Sequence, residues 1–381
     1  IENVLTNGIP SLEDPQERLF VETVNTPNGS FRVFSSIFLT HKHLLSQLVY
    51  LANKVELPVT KLGLVYALLE ISDIIADRFS YGRSVLGNQN SKVVSYGTYA
   101  SFNSSREYTT FSELKLSEVL RKYGITEDSI LPLLLDVRGR EIEKDCRYDG
   151  NSDIFELHPF IRLKSGDFLV SIPSFLLRTA YVLCFQILNN ELGEKNILDL
   201  IEEEMIQEAG MVLQESQAAF LQKIVCEDVH FLLFRFDSTK IANVAICLAD
   251  KHANVEKAIA ASTAQINSSF QNSTIFTLLV TQQLDEKGGM LTISKPVSHF
   301  TVEELKIVLS QDRINLLNLF YYDQDKASLN FPPTCQEIDK FAYYYDKGCT
   351  FYPDQKPTFL VVDIGYALSM REKYLVRLDE H

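Results

Sequence analysis

The sequence predicts a multidomain α+β protein with a helical N-terminal domain, a central α/β domain with a mixed sheet, and a short β-containing C-terminal segment. Apolar residues recur at three- and four-residue spacing in the first part of the chain, which indicates helices. Beyond residue 146, apolar runs of strand length alternate with helical patterns, as is typical of α/β domains. A length of 381 residues suffices for two or three domains. We place them at residues 1–145, 146–330 and 331–381.

The predicted N-terminal domain opens with a hairpin over residues 23–36, whose turn sequence Pro27-Asn28-Gly29 favours a tight reversal of the chain. Helical periodicity follows, and Gly124 is of the residue type that commonly ends a helix. A stretch rich in Gly, Ser and Asn over residues 82–105 predicts a loop or a mobile flap. The predicted helices cover residues 43–54, 60–80 and 110–123.

The central domain is expected to begin after a charged, irregular stretch at residues 138–153. Two short strands, 160–163 and 168–172, are separated by a polar turn and predict a hairpin. Pro173 suits the first position of a helix, and the apolar run after it predicts a buried helix to residue 188. A long helical pattern over residues 197–222 follows.

Two apolar runs at 229–236 and 241–248 predict the clearest hairpin of the chain, because the residues between them are polar. Asn254 is a suitable cap for the next helix. Thr301 and Glu304 have the spacing of a capping box, which predicts the start of another helix. The other elements predicted for this domain are helices at 254–270, 301–309 and 313–322 and strands at 274–281 and 290–294.

The C-terminal segment contains Pro332-Pro333 and a run of three tyrosines at 343–345. Its β-branched and apolar residues predict two strands, at 358–364 and 373–378. We therefore expect this segment to be short and to contain β structure.

Composition limits the classes of partner. The chain has 36 Lys+Arg against 50 Asp+Glu and a net charge of −14, which does not favour nucleic acid, because phosphate binding needs clustered basic residues. No apolar stretch reaches the roughly 18 residues of a membrane span, so no membrane association is expected.

The six cysteines form no CxxC pair, which favours a reducing cytoplasm. Since the chain starts at Ile1 without Met or a signal peptide, we expect a region of a larger cytoplasmic, bacterial protein.

Common catalytic motifs are absent from the sequence. It has no GxxxxGK[ST] phosphate loop, no GxGxxG after a strand and no GxSxG nucleophile turn. We therefore predict no bound organic cofactor.

One order of elements resembles a known family. It runs from a helix (197–222) to a strand with the acidic start Glu227-Asp228, then through a hairpin to a second strand that ends in Asp250-Lys251, and then to a helix containing Gln265. This order of elements resembles the core of the PD-(D/E)XK, or restriction-endonuclease-like, nucleases. The resemblance covers residues 197–282. In that family an acid on the first strand and an acid-x-lysine on the second gather a divalent metal ion beside the scissile phosphate.

The resemblance implies specific site residues. Asp228 matches the first acid and Lys251 the lysine, and Asp228 and Asp250 would bind Mg²⁺ or Mn²⁺. The chain departs from the family because Ala249, rather than an acid, stands two residues before Lys251. On a strand, the adjacent Asp250 would point to the opposite face.

Two hypotheses follow. In the first, the chain is a non-catalytic interaction or scaffold region that binds a protein partner or the rest of a larger polypeptide, has a degenerate nuclease-like core, and presents aromatic residues of 343–352 at an interface. In the second, it is a metal-dependent nuclease that hydrolyses phosphodiesters with Asp228, Asp250 and Lys251 and borrows a ligand such as Glu227 or Glu208. Convergence of Asp228 and Asp250 beside Lys251 would favour the nuclease.

Overall fold

The structure is a computed structural model that confirms an α+β protein with a mixed sheet. It divides into two compact units, Ile1–Glu194 and Lys195–His381. None of the described helices is both long and apolar enough to cross a membrane. The described residues are 19–35, 41–86, 93–94, 108–135, 158–170, 172–216, 218–248, 255–282, 297–332, 335–351 and 359–378.

The N-terminal unit is mostly helical and carries two small antiparallel sheets. The sheets have the strand orders β2-β1-β3 and β4-β6-β5. The elements are β1 (Leu19–Thr26), β2 (Gly29–Ser35), α1 (His41–Lys54), α2 (Gly63–Leu86), β3 (Val93–Val94), β4 (Thr110–Phe111), α3 (Glu113–Lys122), β5 (Phe160–Arg162), β6 (Phe168–Val170) and α4 (Pro173–Leu192).

The predicted hairpins and helices of this unit are confirmed with shifted ends. Gly29, at φ 133°, lies directly after the turn between β1 and β2, a backbone conformation that favours glycine. Gly124, at φ 71°, follows α3 as expected. The predicted loop at 82–105 is wrong in its first part, because α2 continues to Leu86. The residues of that loop at 87–92 and 95–105 lie outside the described part of the chain.

The position of α4 makes the observed division differ from the predicted one. We placed residues 160–188 in the central domain, but α4 packs against α1, α2 and β2 within the N-terminal unit. Its side chains Leu176, Leu177 and Leu188 are almost completely buried there. The predicted boundary stretch at 138–153 lies outside the described residues. The observed division of the chain falls between Glu194 and Lys195.

The C-terminal unit is built on a five-stranded mixed sheet of order β11-β10-β9-β8-β7. Strands β7, β8 and β9 are antiparallel neighbours, whereas β9, β10 and β11 run parallel. The elements are α5 (Glu194–Glu215), β7 (Ala219–Cys226), β8 (Val229–Asp237), β9 (Lys240–Leu248), α6 (Val255–Ser269), β10 (Thr274–Gln282), β11 (Ser298–Phe300), α7 (Val302–Leu309), α8 (Leu316–Lys326), α9 (Glu337–Asp346) and α10 (Gly365–Leu378).

Helices cover both faces of this sheet. On one face α6 packs over the sheet, and the buried Asn243 of β9 donates its side-chain N–H to Ser262 Oγ of α6 at 2.8 Å. On the other face the Phe320 ring of α8 lies edge-on to Phe276 of β10, with 6.1 Å between centroids. The core therefore lies in two layers, one on each side of the sheet.

The predicted helix at 197–222 is wrong at its C-terminal end. The helix α5 ends at Glu215, and residues 219–226 form β7, which pairs along its length with β8. The apolar residues at 213, 220 and 221 fit a helical spacing, which is why periodicity alone extended the helix to 222. Tertiary pairing with β8 decides in favour of a strand.

The two strands predicted in the C-terminal segment are also wrong. Residues 365–378 form α10, and Phe359 makes only an isolated bridge, to Asn330. Ala367, Leu368 and Leu375 are buried at helical spacing, so the segment gains a packed face as a helix. The predicted strand at 290–294 lies outside the described residues.

Candidate functional site at the open edge of the sheet

Among the described residues, strand β7 is the last strand at one edge of the five-stranded sheet, and it pairs with β8 on one side. Cys226 and Val229 are the closing pair of the two-residue turn between these strands. In such a hairpin the closing pair is hydrogen-bonded, and hydrogen-bonded and non-hydrogen-bonded pairs alternate from it. The backbone N–H and C=O groups of Lys223 and Val225 therefore point away from β8, toward the open edge.

Apolar side chains accompany this edge. Phe220 is 46% exposed and Val225 is 54% exposed, with the exposed Lys223 between them. Phe220 lies edge-on to Phe234 at 5.5 Å between centroids, which places it on the sheet face opposite α6. Ile224 belongs to the core under α6 and is 8% exposed. The edge thus has one anchored face and one face with two apolar side chains in solvent.

A β-bulge interrupts the register of β7 between Phe220 and Gln222. Bulges commonly twist an edge strand and limit uncontrolled pairing with other chains. Beyond the bulge, residues 222–226 keep a regular register with β8. This regular stretch is long enough for a short extended segment to pair with it.

The turn after β7 places Asp228 differently from the expectation. Glu227 has φ 49° and Asp228 has φ 63°, so both are in the left-handed region that a type I′ turn requires. Asp228 is exposed and lies in this turn, not on β8. We expected Asp228 at the start of a strand. Part of β7 had been assigned to a helix, so no turn between two strands was predicted at this position.

The other predicted site residues, Asp250 and Lys251, lie outside the described residues. The pairing of His230 with Ile246 puts the start of β8, which Asp228 directly precedes, beside the C-terminal end of β9. Cys247 and Leu248 are completely buried. Burial raises the pKa of the Cys247 thiol to about 12, and the carboxylate of Glu202 acts in the same direction. This end of β9 is therefore an apolar part of the core.

The side chains that could supply a further metal ligand are already paired. Glu227 forms an ion pair with Lys257 at 2.9 Å, and Glu208 forms one with Lys306. Gln265 accepts a hydrogen bond from Cys226 Sγ at 3.7 Å, so it does lie beside the β7–β8 turn. Within the described ranges, no three His, Cys, Asp or Glu side chains come together as a group that could hold a metal ion.

Two of the four described aromatic residues that were expected at an interface form core. Tyr344 is 2% exposed and Phe351 is 1% exposed, and both rings contact Tyr322. Tyr343 and Tyr345 are partly exposed, and Tyr352 lies outside the described residues. The run of tyrosines is thus divided by the helical period of α9 between the core and the surface.

Sequence reasoning missed the open edge of β7. The available signal was the segment Ala219–Cys226 itself, in which β-branched and aromatic residues surround Lys223, as is typical of an edge strand. Comparison with protein-family models, with curated proteins and with solved structures found no match to this chain.

Proposed function

We propose that this chain is an interaction region of a larger protein, and that its C-terminal unit binds an extended segment of a protein partner along β7. The observation that carries the proposal is the outward backbone of Lys223 and Val225, flanked by the exposed Phe220. An extended peptide that adds a strand to such an edge satisfies these backbone groups and gains affinity from main-chain hydrogen bonds.

The side chains of β7 define the chemistry of the partner segment. On the exposed face, Phe220 and Val225 favour apolar residues, and Lys223 between them favours an acidic residue. Cross-strand neighbours stand about 5 Å apart, so these preferences act on the residues beside them. We expect a segment in which apolar residues flank one carboxylate.

A degenerate nuclease-like core in the cytoplasm is the setting that we propose for this interaction. The elements on which the resemblance rests occur in the order α5, β8, β9 and α6, with β7 as an additional antiparallel strand. The described cysteines, including Cys226 and Cys335, are free thiols, which supports a reducing compartment.

Selection from a displayed library of eight-residue peptides, with the full chain as bait, tests the proposal. Selected peptides should carry one Asp or Glu, with an apolar residue on each side of it along the same face of the extended peptide. Their dissociation constants, measured by fluorescence anisotropy, should rise at least about tenfold for Val225→Pro, because proline removes an outward N–H. Val225→Ala is the matched control, since it keeps the backbone donor.

Two results would contradict this function. One is the absence of any enriched sequence pattern. The other is selected peptides that bind wild type and Val225→Pro equally. Circular dichroism of each variant establishes that the sheet has remained folded.

A metal-dependent nuclease is the second candidate, and one observation favours it. Asp228 directly precedes β8 at the end of the sheet where β9 ends in Leu248, and Asp250 and Lys251 follow Leu248 closely in the sequence. Calorimetric titration of Mg²⁺ and Mn²⁺ into wild type and Asp228→Ala distinguishes the candidates. Saturable metal binding that Asp228→Ala abolishes would support the nuclease. If wild type binds neither metal ion, the nuclease hypothesis is wrong.

A further inference from the structure

A cleft of about 380 Å³ lies between α9 and α10 of the C-terminal unit. Tyr345 of α9 and Tyr366 of α10 line it, and both are partly exposed. The side chain of Met370, which is 3% exposed, contributes to the buried wall of the cleft. The site therefore combines an apolar wall with two aromatic rings that a ligand can reach.

The tyrosine rings of this region already attract cations of the chain itself. The ammonium group of Lys373 lies 5.9 Å from the centroid of the Tyr345 ring. The ammonium group of Lys347 lies 5.3 Å from the centroid of the Tyr366 ring and 3.4 Å from a carboxylate oxygen of Asp346. The negative face of an aromatic ring stabilises a cation at such distances. These rings therefore stabilise cations, and a cationic ligand would compete with Lys373 and Lys347 for them.

Asp363 supplies a carboxylate that no cation of the described chain neutralises. Its Oδ1 accepts a hydrogen bond from the backbone N–H of Gly365 at 2.7 Å, and the side chain is exposed at the edge of the cleft. Asp346 is the second acidic residue that lines the cleft, and Lys373 is a basic residue of the lining. Lys347, which pairs with Asp346, balances the second acid, so the exposed carboxylate of Asp363 and the net charge of −14 of the chain are what favour a basic ligand.

We propose that this cleft binds an arginine side chain of a protein partner. A guanidinium group is planar, so it can stack on a tyrosine ring while its N–H groups donate to a carboxylate such as Asp363. The volume of about 380 Å³ accommodates one long side chain with its hydrating water. This site is separate from β7, so it goes beyond the proposed function and is tested independently of it.

Methionine methyl groups give a direct measurement. The chain has 4 methionines, of which Met370 lies in the cleft and Met205 and Met211 lie on α5. The full chain, labelled with ¹³C at the methionine methyl groups, is titrated with the acetylated, amidated tripeptide Gly-Arg-Gly. We expect a saturable shift of the Met370 signal and unchanged signals from Met205 and Met211. The same peptide with citrulline, which has nearly the shape of arginine without its charge, should give a much weaker shift.

Three substitutions identify the groups responsible. Asp363→Asn keeps an oxygen that can accept from Gly365 and should weaken binding about fivefold through loss of charge. Lys373→Gln removes the cation that competes for the Tyr345 ring and should strengthen binding about twofold to fivefold. Asp228→Asn makes the same chemical change as Asp363→Asn at another exposed position of this unit and should leave binding unchanged.

A cleft with only a structural role gives no shift at Met370, and this result overturns the proposal. Equal binding of the arginine and citrulline peptides overturns it as well, because recognition would then not depend on charge. Weaker binding of the arginine peptide by Lys373→Gln would show that Lys373 does not compete with the guanidinium, and this result would overturn stacking on the Tyr345 ring. A lysine tripeptide that binds as tightly as the arginine peptide removes the assignment to guanidinium.

Discussion

The two edges of the five-stranded sheet are protected in different ways. At one edge, Ser298 and Phe300 of β11 are completely buried. At the other, Phe220 and Val225 of β7 are about half exposed, and the protection consists of a bulge and the charge of Lys223. Edge strands that are neither covered nor fully protected are the ones available for pairing with another chain. Among the described residues, the side chains of β7 are thus more exposed than those of β11, and β7 is the edge at which we propose that a partner binds.

A buried ionic network joins β11 to the helices that pack on it. Lys326 of α8 donates to Ser298 Oγ at 2.9 Å and pairs with Glu337 of α9, and Ser298 donates to Asp323 at 2.7 Å. Tyr322 also donates to Glu337 at 2.8 Å. Burial alone would raise the pKa of Glu337, but the nearby lysines and hydrogen bonds outweigh it and hold the pKa below its ordinary value. These contacts tie β11, α8 and α9 together.

Removal of one charge from this network should have the largest effect. Lys326→Met leaves the buried carboxylate of Glu337 without its main partner, and we expect a loss of about 3–5 kcal/mol in the free energy of unfolding. The matched control, Lys223→Met at the exposed edge, should change stability by less than about 0.5 kcal/mol. Urea denaturation, with hydrogen exchange to locate the change, measures both variants. Equal effects at the two edges would contradict the comparison.

Truncation of an aromatic ring at each edge sharpens the same contrast. Phe300→Ala removes a completely buried ring beside Phe341 and should cost about 3–4 kcal/mol. Phe220→Ala removes a half-exposed ring and should cost about 1 kcal/mol or less, while it weakens peptide binding at β7. Urea denaturation gives the stabilities, and anisotropy gives the binding. A cost above about 2 kcal/mol for Phe220→Ala would identify this side chain as structural core.

The sequence predicts elements of the fold best where the signal is local. The capping box at the start of α7 has both of its hydrogen bonds, from Glu304 N–H to Thr301 Oγ1 at 3.1 Å and from Thr301 N–H to Glu304 Oε2 at 2.8 Å. The hairpin of β8 and β9 was predicted with its outer ends at the observed residues and its inner ends within one residue of them. In both, residues near one another in the chain determine the structure.

Predictions that depend on distant partners failed. Residues 219–222 fit a helix by spacing and became a strand because β8 lies beside them. Residues 373–378 were expected in a strand and lie in α10, which packs on α9 and α7. The open edge was also beyond sequence reasoning, because a strand becomes an edge only through the order of all the strands. Asp228 was identified as a residue of interest, but its place in a turn depended on β7.

A change of pH tests the stability of the region around β11 without truncation of a side chain. Burial raises the pKa of Glu304, on α7 next to β11, from 4.5 to about 7, and Glu303 and Asp339 act in the same direction. The folded state therefore holds this proton more tightly than the unfolded state. Its stabilising contribution is complete below pH 4.5 and is lost as the pH rises through about 7.

Glu304→Gln should remove this contribution while it keeps an oxygen that can cap Thr301. The free energy of unfolding of the variant relative to wild type should rise by on the order of 2 kcal/mol between pH 4.5 and pH 7.5. Urea denaturation at a series of pH values measures the difference, in which carboxyl groups common to both proteins largely cancel. A difference that stays constant with pH would show that Glu304 does not titrate in this range.

The smallest expected effect lies at the turn next to the open edge. Glu227 and Asp228 both adopt positive φ, which Asn and Gly adopt with less strain. Glu227→Asn combined with Asp228→Gly should stabilise the protein by about 0.5–1 kcal/mol, after the loss of the exposed pair between Glu227 and Lys257. If β7 is the binding edge, this variant keeps its affinity for the selected peptides, because their contacts lie on residues 220–225. Increased stability with unchanged binding separates the turn from the edge, whereas lost binding would move the proposed contact to the turn itself.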